Sequence, residues 1–99
     1  MKRIFLENLR SFGRFMALRT EPFQMNECLC HSNVDGSLIF LGADWSLYLR
    51  PLGDGVMLAW KPDMPDHPWP VNTDLPGSVP HWARLAMDTI ERSVAKWAA

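Results

Sequence analysis

Cys28, Leu29, Cys30 and His31 form the densest local cluster of groups able to do chemistry. Two thiolates and an imidazole are zinc ligands, and His67 or His81 would supply a fourth corner of a tetrahedron. Structural zinc sites bring their ligands as two separated pairs, with roughly two to four residues inside each pair, and that spacing is missing here. Nor is there a Cys-x-x-Cys redox motif. A disulfide between residues two apart on an extended strand would be strained. Cys28 and Cys30 are therefore expected to be reduced, small buried side chains that hold no metal or cofactor. A cysteine nucleophile needs an activating base, a group that orients the base and an oxyanion site. The chain offers only Cys28 or Cys30 and a histidine, so no catalytic residue is assigned. A small Cys/His enzyme ranks behind the binding readings below.

A second set of candidates lies in residues 61–80, which hold six of the eight prolines. Within Asp63-Met64-Pro65-Asp66-His67-Pro68-Trp69-Pro70 the prolines hold the backbone extended. Tryptophan is the residue type enriched at binding hot spots. Asp63, Asp66, His67, Trp69 and Asp74 are the expected partner-binding residues, and the acids favour a basic partner surface. The competing expectation is a strap that crosses the domain with Trp69 tucked into the core edge.

The third set is basic. Residues 1–20 carry Lys2, Arg3, Arg10, Arg14 and Arg19 against Glu7 alone, whereas residues 21–76 carry eight acids against Arg50 and Lys61. Arg3, Arg10 and Arg14 share one helical face and could touch phosphate. Nucleic-acid binders add a larger basic excess and interleaved aromatics. Here Phe5, Phe12 and Phe15 lie on or beside the apolar face, and the net charge is −1. Packing of the basic helix beside the acidic sheet is the simpler expectation, and a nucleic-acid-associated accessory protein is the alternative.

These residues must be positioned by elements that the hydropathy pattern outlines. In residues 3–18, Phe5, Leu9, Phe12 and Met16 keep helical spacing opposite Arg3, Glu7, Arg10 and Arg14. Gly13 costs about 1 kcal/mol in mid-helix, and close approach to the sheet is the expected reason for it. Pro22 stops the helix. Four short apolar stretches follow, 23–31, 37–41, 45–50 and 56–60, separated by Asp35-Gly36, Gly42-Ala43-Asp44 and Leu52-Gly53-Asp54-Gly55. Alternation in the first stretch breaks at Glu27-Cys28, where a bulge is expected. The last helix is expected over 80–98, with Ser78 as N-cap and Pro80 in the first turn. Trp82, Ala83, Ala86, Ile90, Val94 and Trp97 would be its buried face and Arg84, Asp88, Glu91 and Arg92 its wet face, where Asp88 and Arg92 would pair.

Ninety-nine residues make one domain with one core. The pattern predicts a two-layer α+β fold of order α-β-β-β-β-α, with an antiparallel sheet of three to four strands and both helices on one face. The other sheet face, with Tyr48, Met57 and Ile39, is a candidate homodimer surface. No run approaches the roughly 18 apolar residues of a membrane span, so no membrane role is expected. Together with reduced cysteines this points to a cytoplasmic location. The expected function is non-catalytic binding of another protein, as in adaptor, immunity-like or phage- or plasmid-encoded inhibitor proteins.

Overall fold

The amphipathic stripe near the N-terminus becomes helix α1 (Arg3–Ala17). A computed structural model describes residues 1–99. After α1 the chain forms six strands: β1 (Phe23–Gln24), β2 (Leu29–Ser32), β3 (Leu38–Leu41), β4 (Ser46–Leu52), β5 (Gly55–Ala59) and β6 (His67–Pro70). Helix α2 (His81–Ala98) closes the chain. Every strand pairs antiparallel with its sequence neighbour, in the order β1-β2-β3-β4-β5-β6. The fold is α+β, with both helices on one face of the sheet: they pack on each other and both contact β4. Neither helix is long and apolar enough to cross a membrane.

Register explains which side chains are covered. Cys30, Phe40 and Leu47 lie in one cross-strand row, and Leu38, Leu49 and Leu58 in another. All six point toward the helices and are buried. From α1, Phe5, Leu9, Phe12 and Met16 meet them, and from α2, Ala83, Ala86, Ile90 and Val94. Period two on the strands and period 3.6 on the helices thus place one apolar surface against another.

The sheet has two more strands than expected, and each has a local cause. The stretch 23–31 is a hairpin rather than a bulged strand. Met25 N–H donates to the Cys28 carbonyl at 2.8 Å, and the Gln24 amide bridges the carbonyls of Met25 and Cys28. Polar Asn26 and Glu27 stand at the exposed tip while Met25 and Cys28 point inward. The break in alternation was therefore the turn itself.

The other extra strand, β6, lies within the proline-rich segment. Val71 N–H donates to the Asp54 carbonyl at 2.9 Å. With the Val56–Trp69 and Leu58–His67 pairings, this turns the His67 and Trp69 N–H groups toward β5 and the nitrogens of Pro68 and Pro70 toward the open edge. Proline is tolerated on an edge because no ladder donor is lost there. At Gly55 an added Cβ would lie 2.6 Å from the Trp69 carbonyl oxygen, so only glycine lets β6 approach this closely.

The last helix also departs from expectation. Pro80, not Ser78, occupies the N-cap, and no side chain caps the helix. Instead the Arg84 guanidinium donates to the carbonyls of Val79 and Pro76 and ties down the approach to the helix. Trp82 is 41% exposed, while Met87 and Ser93 are buried in its stead. Arg92 pairs with Glu27 at 3.2 Å rather than with Asp88, joining α2 to the β1–β2 turn.

Two stability predictions follow from the packing. A Cβ at Gly13 would meet only the Leu38 side chain, at 4.0 Å, so close approach does not require glycine there. Gly13→Ala should raise stability by about 1 kcal/mol in urea unfolding. Trp69 is only 3% exposed, and its ring centroid lies 6.3 Å from that of Phe5. Trp69→Ala should cost about 3–5 kcal/mol in the same measurement.

Candidate binding groove

The acidic proline segment does not act as one surface. Asp63 is exposed. Asp66 pairs with Arg50 at 3.1 Å, beside the uncovered sheet face. The His67 ring lies 4.8 Å from that of Trp60, and its Nδ1 is 2.9 Å from the Pro65 carbonyl. Trp69 is in the core, with its indole N–H donating to the Thr73 carbonyl at 3.0 Å, so it is no exposed anchor. This is the strap geometry. Of the five residues only Asp74 lines the large cavity described below.

The basic residues of α1 are largely engaged within the chain. Arg3 pairs with Asp54 at 3.1 Å, and Arg10 donates to the Gly53 carbonyl and pairs with Glu7. Arg14 reaches Ser11. Opposite charges of the two halves of the sequence thus meet where α1 grips the β4–β5 turn.

Cys28 and Cys30 are buried and unbonded. Cys28 Sγ lies 3.7 Å from Ser93 Oγ. Burial pushes both thiols above their ordinary range, and the Ser93 hydrogen bond only partly offsets this at Cys28. A buried protonated thiol is a poor nucleophile. Cys30 sits opposite Phe40 on the covered face, whereas His31 sits opposite Ile39 on the other. Strand alternation therefore separates the Cys/His pair that the sequence set side by side. No three His, Cys, Asp or Glu side chains gather around a common point.

What the structure does bring together is a groove of about 670 Å³ between α1, α2 and the segment after β6. Ile4 and Phe5 form an apolar wall with Ala95. Asn72, Thr73 and Asp74 form a polar rim. The rim is held from several directions. Asn72 adopts a left-handed conformation, φ 66°, which asparagine tolerates better than most residues. Its N–H donates to the Met1 carbonyl at 2.8 Å, and Thr73 Oγ1 donates to the Pro70 carbonyl. The Thr73 carbonyl accepts from both the buried Trp69 indole and the Met1 amino group. Trp69 thus matters to the groove as the post that fixes its rim.

Glu91 stands in this groove half-buried, with no ion-pair or hydrogen-bond partner in the chain. Burial raises its carboxyl above the ordinary range, and the Asp88 charge adds to the effect. The terminal amino group and Lys2 partly oppose the shift. A carboxylate in this setting gains most from an incoming cation, which would supply the missing partner. Helical periodicity alone placed Glu91 on the wet face, and its partial cover comes from α1 and the rim, far away in sequence. Ile4, which by its spacing widens the apolar stripe of α1, is instead left 64% exposed at the groove.

No family model matches this chain, and neither a curated protein nor a solved structure matches it.

The raised carboxyl has a testable sign. The native state holds the Glu91 proton more tightly than the unfolded chain does. Its contribution to stability is complete below the ordinary value of 4.5 and is lost as pH rises through the raised native value. Glu91→Gln, which does not titrate, should therefore match the wild type in acid and become the more stable protein toward neutrality. Thermal unfolding from pH 4 to pH 8 checks this, and a glutamine variant less stable at pH 8 would contradict it.

Proposed function

We propose that this chain is a non-catalytic protein-binding domain and that the α1–α2 groove is its binding site. The partner presents a lysine or arginine beside an apolar side chain. One observation carries the reading: a half-buried carboxylate without a partner, Glu91, in a cavity of the size that binding sites use. Asp74 on the rim and Asp88 one turn before Glu91 add acids, against Lys2 and the terminal amino group on the α1 side of the groove. The exposed Ile4 offers apolar contact at the mouth. A cation arriving here is met by carboxylates, and its aliphatic stem lies along Ile4 and Phe5, the arrangement that suits a long basic side chain. The partner reading made from the acidic loop is kept in its chemistry, but the site moves from Trp69 to the groove.

The test is affinity capture from source-cell extract, with the wild type and Glu91→Gln as parallel baits, followed by titration of the captured partner at low and high salt. The Glu91→Gln bait should bind about tenfold more weakly or worse, with unchanged or higher thermal stability. Wild-type affinity should fall as salt rises. Equal affinity of the two baits for every captured protein would refute the groove as the site.

A further inference from the structure

The sheet face turned away from the helices carries no helix or strand of its own chain, yet it is not a polar face: Leu29, Ile39, Leu41, Tyr48 and Met57 are part-exposed on it, and residues 61–66 flank its β4–β5 side. The pairing register sets Leu29 beside Leu41, Ile39 beside Tyr48, and Met57 beside Pro68. Ile39 and Tyr48 lie on β3 and β4, the central strands of the six. Ile39 and Tyr48 therefore put apolar surface at the middle of the face, with His31 opposite Ile39, the Arg50–Asp66 pair beside Met57, and Gln24 at the β1 edge.

The two edges of the sheet are closed to strand addition. β6 presents Pro68 and Pro70 to the open side, where a partner strand would look for N–H donors. β1 is two residues long and follows directly on Pro22. Short edge strands and edge prolines are how natural sheets prevent edge-to-edge pairing. Any association through this sheet must use its face.

We infer that the face is the contact of a homodimer, with two copies stacked sheet against sheet about a two-fold axis near Ile39 and Tyr48. Two features favour a second copy over a different partner. The Arg50 charge on the face is already matched by Asp66, so the patch is close to neutral. A two-fold contact sets a surface against its own image, which a charged patch resists and a neutral apolar one accepts. The chain as a whole, at net charge −1, adds little repulsion between copies. One broad side of a body 33 × 28 × 24 Å in extent is about a fifth of its 5761 Å² surface, which leaves room for a standard stable interface of about 800 Å² per partner. The surface lies across the sheet from the groove, so dimer formation and partner binding are separable.

Tyr48 is the only tyrosine in the chain and so serves as a built-in reporter. The experiment combines sedimentation of the wild-type protein from about 5 to 500 µM with nitration of Tyr48, read by mass spectrometry at the same concentrations. The expected result is a mass approaching twice 11.3 kDa and nitration at least tenfold slower in the dimer. A mass of one chain throughout the range would overturn the inference. So would a dimer in which Tyr48 reacts as fast as in the monomer, because the contact would then lie elsewhere. Ile39→Asp and Met57→Asp should each weaken the dimer at least tenfold in any variant that keeps a cooperative thermal transition. Retention of the dimer by such a folded variant would also overturn it. Should neither variant fold, the mass and the nitration rate of the wild type decide.

Discussion

Phe12 is the contact on which the rest of the molecule depends. Its ring lies 6.0 Å from Phe40 on the sheet, 6.0 Å from Phe23 and 5.0 Å from Trp97 of α2. One side chain, itself fully buried, thereby joins α1, α2, β1 and β3. Each such pair adds about 0.5–1.5 kcal/mol beyond the area it buries. Phe15 extends the cluster to Phe23 and Trp97, and the Arg19 guanidinium covers it from outside, 5.1 Å from the Phe23 ring. Within the cluster, Trp97 near the end of α2 meets Phe12 and Phe15 in the second half of α1. Toward the start of α1, Ile4 and Asn8 line the groove with half-buried Glu91 and small Ala95, which lie within two turns before Trp97 on α2.

The charge imbalance along the sequence is mostly resolved within the fold. Arg3 and Arg10 reach the β4–β5 turn, Arg92 reaches the β1–β2 turn, and Arg50 reaches the start of β6. Three of these join elements more than forty residues apart in sequence. Surface pairs of this kind contribute little to stability. They do neutralise the surface, and that makes the unpaired Glu91 stand out. In a chain whose arginines so often find a carboxylate or carbonyl, a half-buried acid without a partner is the exception that the functional reading follows.

Trp69 links the core to the groove. It fills space against Phe5, and its indole N–H holds the Thr73 carbonyl that shapes the rim. The two roles agree because one large amphipathic side chain can pack its ring and spend its single donor on a loop. A residue picked out for surface binding by its type acts on the site from beneath.

Much of the fold was legible in the sequence because it is written at short range. The α1 stripe, the turns at Asp35-Gly36 and Gly53-Asp54, the apolar face of the strands and both helices on one side follow from periods of 2 and 3.6 residues and from turn chemistry. Phe5, Leu9, Phe12, Met16, Leu47, Leu49, Leu58 and Ile90 were all legible as core and are buried. Other features depended on what lies across from a residue. Whether 67–70 is a loop or an edge strand depends on whether β5 offers it a ladder, and proline content alone cannot show which side its nitrogens face. Whether Cys30 and His31 act together depends on the face each takes. Whether Glu91 is wet depends on α1 and on residues 72–74. These are contacts between segments tens of residues apart, decided by packing rather than local propensity, and the candidate site consists almost wholly of such contacts.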